Sequence, residues 1–193
     1  MSLSSVEDWV ASVDANANAD AWSDPQFPYT HSALEHFNTR LDEMLGCERD
    51  VIVPDDVIER IATECRGGRY ADTPIADIGL SQLQKVLKSL RLLKYSRNTT
   101  QLLSRLTGRA PPCMSADERA NCLRMFRVLR TSFETREPNE RRGFLNFSFC
   151  IYKICEIAGY TRFLPLISRL GPTKMQKEKA IYKDELCRIG MYY

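Results

Sequence analysis

The residues of this chain whose types and spacing could do chemistry are its lysines and arginines. In Leu80–Tyr95, cations recur at three-residue intervals beside apolar residues with helical spacing, and arginines recur in the same way in Ala116–Phe133. On a helix such spacing places the cations on one face. A row of cations can neutralise successive phosphates and release their counterions. The pattern predicts a polyanion-binding surface, and a solvated helix face without a ligand is the alternative. The candidate nucleic-acid-binding residues are Lys85, Lys88, Arg91, Lys94, Arg97, Arg105, Arg109, Arg119, Arg124, Arg127 and Arg130.

The charge of the chain is divided along its length. Residues 1–78 hold 16 acidic and 5 basic side chains, whereas residues 79–142 hold 14 basic and 5 acidic ones. The remaining residues, 143–193, hold 8 basic and 4 acidic side chains. Blocks of opposite charge indicate that the basic part of the chain binds a polyanion and that the acidic part has a different function.

Residues for catalysis or metal binding are sparse. His31 and His36 are five residues apart and do not share a helical face, and the chain has no C-x-x-C, H-E-x-x-H, Walker or G-x-S-x-G pattern. Cys150 and Cys155 lie in an apolar helix and are typical of small core residues. Asp55–Asp56 could be a metal pair, but acidic residues in a first helical turn complement the helix dipole. We therefore expect no catalytic residue, no metal, no cofactor and no enzyme; a thiol-dependent enzyme is a remote alternative that needs a low-pKa cysteine beside a base.

The cysteine count and the hydropathy predict an intracellular, soluble protein. Seven cysteines is an odd number, and the first ten residues contain no apolar run of the kind found in a signal peptide. We expect buried, reduced thiols in an intracellular protein. No run approaches the roughly 18 apolar residues that span a bilayer. The prediction is a soluble protein without a membrane partner.

The elements that must position the cations are predicted to be helices. We expect an N-terminal tail over residues 1–30 and a compact all-α domain over residues 31–193, with a loop at Glu137–Gly143. The first predicted helix starts at Ser32 and ends at Gly46, and the second starts at Pro54 and ends at Gly67–Gly68. The others are predicted over Gly79–Tyr95, Thr99–Thr107, Ala116–Phe133, Phe144–Ala158, Thr161–Leu170 and Lys174–Ile189.

A rigid corner is predicted between the two basic helical regions. Gly108 supplies the left-handed residue that ends a helix, and Pro111–Pro112 cannot continue one. Ser115 stands three residues before Glu118, which is the spacing of a capping box. A new helix therefore begins at this point.

Seven segments of the chain form an ordered set of motifs. They are Phe37 with Leu41, VPDDVIERI (Val53–Ile61), LKSLRLLKY (Leu87–Tyr95), LTGRAPP (Leu106–Pro112), Met125–Phe126, LNFSFCIYKICEIAGY (Leu145–Tyr160) and FLPLI (Phe163–Ile167). In this order they resemble the poxvirus late transcription factor 3-like family of large DNA viruses of eukaryotes. The resemblance covers residues 32–193.

The chain departs from the family pattern at several positions. Ser96, Arg97 and Asn98 follow Tyr95 where the family usually carries a second tyrosine and a histidine. Near the C-terminus the family tends to read I-W and G-W. This chain has Ile181–Tyr182 and Gly190–Met191 there, so both tryptophans are replaced. The cysteine-rich segment of relatives described as zinc proteins has no counterpart here, so zinc is not carried over.

The resemblance implies a non-enzymatic viral factor that helps the viral RNA polymerase to start on late promoters. Its partners would be the polymerase, other late transcription factors and double-stranded DNA. It would act in a cytoplasmic viral factory or the host nucleus, and packaging in the virion is left open. A cyclin-like arrangement of helices would suit this role by analogy. The alternative is a protein–protein adaptor of the same machinery that makes no contact with nucleic acid.

Overall fold

The computed structural model describes residues 28–47, 52–68, 70–136, 144–168 and 170–188. These residues form helices and connecting segments and contain no β-strand, which confirms the all-α prediction. The α-helices are α1 (Pro28–Leu45), α2 (Asp55–Gly67), α3 (Leu80–Ser89), α4 (Thr99–Thr107), α5 (Ala116–Glu134), α6 (Phe147–Ile157) and α7 (Pro172–Arg188). Short 3-10 helices cover Ile75–Asp77, Leu93–Tyr95 and Thr161–Leu166.

The described residues pack as two compact units. The middle unit comprises Thr39–Met114, and the terminal unit comprises the described residues of Met1–Asn38 and Ser115–Tyr193. Helix α1 thus supplies residues to both. The tail boundary expected after residue 30 stays a prediction, and α1 begins at Pro28.

The core of the terminal unit is aromatic. The rings of Phe37 and Phe126 stack with centroids 4.1 Å apart, and Phe149 meets Tyr182 edge-on at 5.7 Å. Helix α5 packs against α6 and α7. The stripe predicted for α5 is confirmed, because each of its members is buried: Cys122, Met125, Phe126, Leu129 and Phe133. The three- and four-residue spacing that predicted this stripe buries one face of the helix.

The core of the middle unit lies between α2, α3 and α4. Each of these helices packs against the other two. Leu83 and Leu87 of α3 and Leu102 of α4 are fully buried. They join a continuous cluster with residues of α2, including Ile61. The apolar face of α3 is therefore fixed, so its other face is turned to solvent.

The corner between α4 and α5 has the predicted chemistry. Gly108 adopts a left-handed φ of 69° at the end of α4. The Ser115 hydroxyl accepts a hydrogen bond from the Glu118 N–H at 3.2 Å, and the Glu118 carboxylate accepts one from the Ser115 N–H at 2.9 Å. This reciprocal pair is the capping box, and it starts α5 at Ala116.

Several predicted helix boundaries are wrong. Helices α1, α6 and α7 begin at Pro28, Phe147 and Pro172 instead of Ser32, Phe144 and Lys174. The helix expected over Gly79–Tyr95 ends at Ser89, because Arg91 takes a left-handed φ of 57° and the chain continues as the 3-10 helix Leu93–Tyr95. Pro54 is the extended N-cap of α2 rather than its first helical residue. Residues 161–166 form a 3-10 helix instead of an α-helix extending to residue 170.

Some predictions fall on residues that the structure does not describe. These are the tail over residues 1–27 and the loop expected at residues 137–143. Within the described helices, none combines the length and the hydropathy that a bilayer crossing requires.

Candidate nucleic-acid interface

The second half of the middle unit, with the two residues that follow it, forms a stretch with cations and no carboxylate. From Ile78 to Ala116 the chain holds seven lysines and arginines and neither aspartate nor glutamate. Each of the seven side chains is exposed. They are Lys85, Lys88, Arg91, Lys94, Arg97, Arg105 and Arg109. We call this set, which is defined by its positions in the sequence, the middle basic surface. It contains every predicted site residue before the α4–α5 corner.

Helix α3 supplies the first cations of this surface. Lys85 and Lys88 are exposed, whereas the intervening Val86 and Leu87 are buried in the core. The core contacts of one face thus hold the lysines on the opposite face. Within the described part of the chain, no carboxylate pairs with Lys85, Lys88 or Arg91. Their charges are available to a ligand.

Three arginines of the surface already have acidic neighbours in the same unit. Arg97 lies 4.0 Å from Glu43, and Arg109 lies 3.5 Å from Asp77. Arg105 pairs with Asp55 in the first turn of α2 and also donates to the carbonyl of Val53. Exposed ion pairs of this kind contribute little and are easily exchanged. These arginines are therefore secondary contributors, and Arg105 also has a structural role.

Lys94 and Tyr95 form the end of the 3-10 helix that follows α3. Tyr95 is buried, so its ring belongs to the core and anchors the 3-10 helix. The Lys94 Nζ lies 4.8 Å from the centroid of that ring. A cation over an aromatic face is attracted by the ring quadrupole, so this contact holds an exposed charge next to the end of α3.

Arg91 is the residue of this surface with an unusual backbone. The Leu92 N–H bonds to the Leu87 carbonyl at 2.8 Å, and the Arg91 N–H bonds to the Lys88 carbonyl at 3.2 Å. This is a Schellman motif in which Arg91 occupies the left-handed position that glycine usually takes. A left-handed conformation costs a non-glycine residue roughly 1–2 kcal/mol. The chain thus keeps a cation at a position where glycine would be more stable.

A second Schellman motif in the same unit gives the comparison. Helix α1 ends with Gly46 at φ 68°, and the Cys47 N–H bonds to the Asp42 carbonyl at 2.9 Å. The hydrogen bonds match those at the end of α3. The two helix ends differ in the residue at the left-handed position, glycine in α1 and arginine in α3.

The predicted arginines of α5 lie in the terminal unit, and their surroundings differ. Arg119, Arg124, Arg127 and Arg130 are half-buried rather than exposed. Arg119 donates to the Asn38 side-chain oxygen at 2.6 Å. Arg130 pairs with Glu134 at 2.7 Å, and its guanidinium lies 4.6 Å from the ring centroid of Phe144. Arg124 and Arg127 also have interaction partners. Much of the charge of α5 is therefore used within the unit.

Helix α7 carries exposed cations that the sequence reasoning did not single out. Its four lysines are exposed, and within the described residues none of them pairs with a carboxylate: Lys174, Lys177, Lys179 and Lys183. The sequence signal was the density of lysines, four within residues 174–183. In the terminal unit, the lysines of α7 are more accessible than the arginines of α5.

Burial makes three of the thiols poor nucleophiles. The seven cysteines are free thiols, four of them buried and three exposed. The prediction of buried thiols is confirmed for Cys65, Cys122, Cys150 and Cys155 and is wrong for the others. Burial raises the pKa of the Cys65 and Cys150 thiols. Hydrogen bonding to Cys155, together with burial, raises the pKa of Cys122. Since the thiolate is the nucleophile, these three thiols are unreactive.

The carboxylates and the histidine that were considered for metal binding lie in α2 and α1. Asp55 and Asp56 lie in the first turn of α2, where acidic groups complement the helix dipole. His36 is exposed, and its ring meets the edge of Phe147 at 6.3 Å. Among the described residues, no three side chains of the types that bind metals come together.

The fold and the surfaces define an all-helical protein with exposed, unpaired cations in both of its units. A sequence model of the family described as "Poxvirus Late Transcription Factor VLTF3 like" matches residues 28–193. The chain therefore belongs to this family. The resemblance drawn from the ordered motifs is confirmed.

Proteins of two large viruses are similar to this chain. One is "Putative transcription factor R429" of Acanthamoeba polyphaga mimivirus, 24% identical over 168 residues that cover 86% of this chain and 38% of that protein. A protein of Paramecium bursaria Chlorella virus 1 with the same description, A494R, is 23% identical over 79% of this chain and 42% of its own length. The chain thus spans less than half the length of these relatives. No solved structure matches.

Proposed function

We propose that this chain is part of a viral late-gene transcription factor that binds duplex DNA through the middle basic surface and assists the viral RNA polymerase. The observation that carries the proposal is a set of four exposed cations on or just after α3 that pair with no carboxylate among the described residues: Lys85, Lys88, Arg91 and Lys94. Family membership and the descriptions of the relatives support the transcriptional role.

The mechanism of binding would be electrostatic. Lys85, Lys88, Arg91 and Lys94 lie on or just after α3 and are exposed. Each phosphate that such a side chain neutralises releases condensed counterions. Lysine and arginine contacts to phosphate fix the position of a protein on the duplex and carry no direct sequence information. The middle basic surface therefore accounts for affinity, and a sequence preference would need contacts to base edges.

The terminal unit would contribute in a second way. Helix α7 carries four exposed lysines, which are distributed around its axis. The arginines of α5 are half-buried and have partners within the unit. We expect α7 to add phosphate contacts and α5 mainly to stabilise the fold. Substituting the α7 lysines should lower the affinity for DNA without lowering the stability. Substituting Arg130 should lower the stability without lowering the affinity for DNA.

Fluorescence anisotropy on a labelled duplex across a salt series tests the proposal. If three or four phosphates are neutralised, the slope of log K against log salt is about −3 to −4, and the affinity falls about 40- to 150-fold between 50 and 200 mM salt. An affinity that does not change with salt would contradict the proposal.

The remaining question is the protein partner. Capture of viral polymerase subunits from infected cells, with and without nuclease, separates a DNA-binding factor from a pure adaptor. A pure adaptor captures the same subunits after nuclease treatment and shows no salt-dependent affinity for the duplex. The factor proposed here acts in the infected cell, in a cytoplasmic factory or the nucleus.

A further inference from the structure

One apolar side chain is exposed within the middle basic surface. Leu93 is 59% exposed and lies between Arg91 and Lys94. Among the described residues, the other large apolar side chain with high exposure is Ile52, at 87%. The Leu93 side chain is thus exposed to solvent, and cationic residues lie close to it in the sequence.

The position of Leu93 is fixed by the core on both sides. Leu92 and Tyr95 are buried, and the Tyr95 N–H bonds to the Leu92 carbonyl at 3.0 Å. The Ser96 N–H bonds to the Leu93 carbonyl at 3.0 Å. The Schellman motif at Arg91 joins this 3-10 helix directly to the end of α3. Leu93 is therefore presented on an anchored turn.

The surroundings of Leu93 favour a nucleic acid over a protein as its ligand. The buried centre of a protein–protein interface is apolar and is depleted in lysine. Leu93 instead is an isolated exposed apolar side chain, because among the described residues it is the one large apolar side chain with high exposure in a segment of seven cations and no carboxylate. A polyanion with an apolar interior fits this combination, and the stacked bases of duplex DNA inside their phosphate backbones provide it.

We propose, on the basis of the proposed function, that Leu93 is a wedge that enters the minor groove and partly unstacks a base step. Leucine is one of the side chains that minor-groove proteins insert in this way, and the insertion kinks the duplex. Arg91 and Lys94 would hold the phosphates on either side of the inserted residue. Binding of this chain therefore bends DNA, and DNA whose bases are already unpaired is the preferred ligand.

The test compares Leu93→Ser with Ile52→Ser in the full chain. Two duplexes of the same sequence carry a fluorophore pair at their ends, and one has a two-base mismatch at its centre. Unstacking costs a few kcal/mol per step and is lowest where bases are unpaired. We expect the wild type to shorten the end-to-end distance and to bind the mismatched duplex about tenfold more tightly, since the wedge no longer has to unstack paired bases. Leu93→Ser loses the bend and the preference, and it keeps the salt slope because its cations are unchanged. Ile52→Ser behaves like the wild type.

Each other outcome is informative. If Leu93→Ser bends the duplex as the wild type does, or if the wild type binds both duplexes equally and leaves them straight, the wedge is refuted while DNA binding stands. If Leu93→Ser keeps all DNA properties and loses capture of a polymerase subunit, Leu93 belongs to a protein interface and the inference is wrong. If the wild type shows no salt-dependent binding to either duplex, the proposed function itself fails. Melting curves of the three proteins confirm that each one is folded.

Discussion

Replacement of Arg91 by glycine should make the protein more stable and its DNA binding weaker. Arg91 has φ 57° at the end of α3, and within the described residues its exposed side chain has no carboxylate partner. A left-handed residue other than glycine costs roughly 1–2 kcal/mol. Glycine relieves this strain, but it also increases the conformational entropy of the unfolded chain, which lowers the stability by about 0.5–1 kcal/mol. The net stabilisation is about 0.5 kcal/mol, or roughly 1–2 °C in Tm for a chain of this size.

The same substitution removes one cation from the middle basic surface. Loss of a phosphate contact reduces the salt slope by about 1. Arg91→Ala is the matched control, because it removes the same charge and keeps a side chain at the left-handed position. Thermal unfolding and anisotropy on both variants should show equal losses in binding and a higher Tm for the glycine variant alone.

Two results would refute this reasoning about Arg91. A glycine variant with lower stability than the wild type would mean that its side chain makes a stabilising contact. Unchanged DNA affinity and salt slope in both variants would mean that Arg91 does not reach a phosphate.

Other substitutions test the two cores and the corner. Glu185→Ala should cost about 1–3 kcal/mol in chemical denaturation. The buried Arg136 guanidinium loses the Glu185 carboxylate at 2.6 Å and keeps Asp184 at 2.6 Å, and the Ser132 hydroxyl loses its acceptor. A cost below 0.5 kcal/mol, roughly the lower bound for one hydrogen bond, would show that Asp184 compensates fully. Gly46→Ala should destabilise more than Gly108→Ala, since both residues are left-handed but an added Cβ meets backbone only at position 46; equal losses of stability would exclude a steric contribution. The hydrogen bond from a backbone N–H lowers the pKa of Glu118 below its ordinary value of 4.5, so the stability difference between wild type and Glu118→Gln should be constant above about pH 5 and shrink as the pH falls below it. A difference that does not change with pH would contradict this linkage.

Helix content and core faces could be predicted from the sequence because each rests on local spacing. The apolar stripe of α5 repeats at three and four residues, and all its predicted members are buried. Gly108 and the Ser115–Glu118 pair signal a helix end and a helix start by their own chemistry. Such signals need no knowledge of distant residues.

The end of α3 could not be predicted in this way. Its left-handed residue is an arginine, and the residue type that usually marks this position is glycine. The burial of Leu92 against the same core as Leu87 accompanies the turn. That packing is a tertiary interaction, which local periodicity does not contain.

The accessibility of the arginines also depended on tertiary contacts. Arg119 of α5 donates to Asn38, which is far away in the sequence, and Arg130 lies over the ring of Phe144. Spacing placed the cations of α3 and α5 in equivalent patterns. The structure separates them, because the α3 cations are exposed and the α5 cations are half-buried.

The most direct test of the central claim compares two double variants of equal charge in the middle unit. Lys85→Ala with Lys88→Ala removes two exposed cations of α3, and Arg60→Ala with Arg66→Ala removes two exposed cations of α2. The salt dependence of binding to one duplex is measured for both. We predict that the α3 double variant lowers the slope by about 2 and that the α2 double variant leaves it unchanged. Equal slopes for the two variants would contradict the claim that the middle basic surface binds DNA.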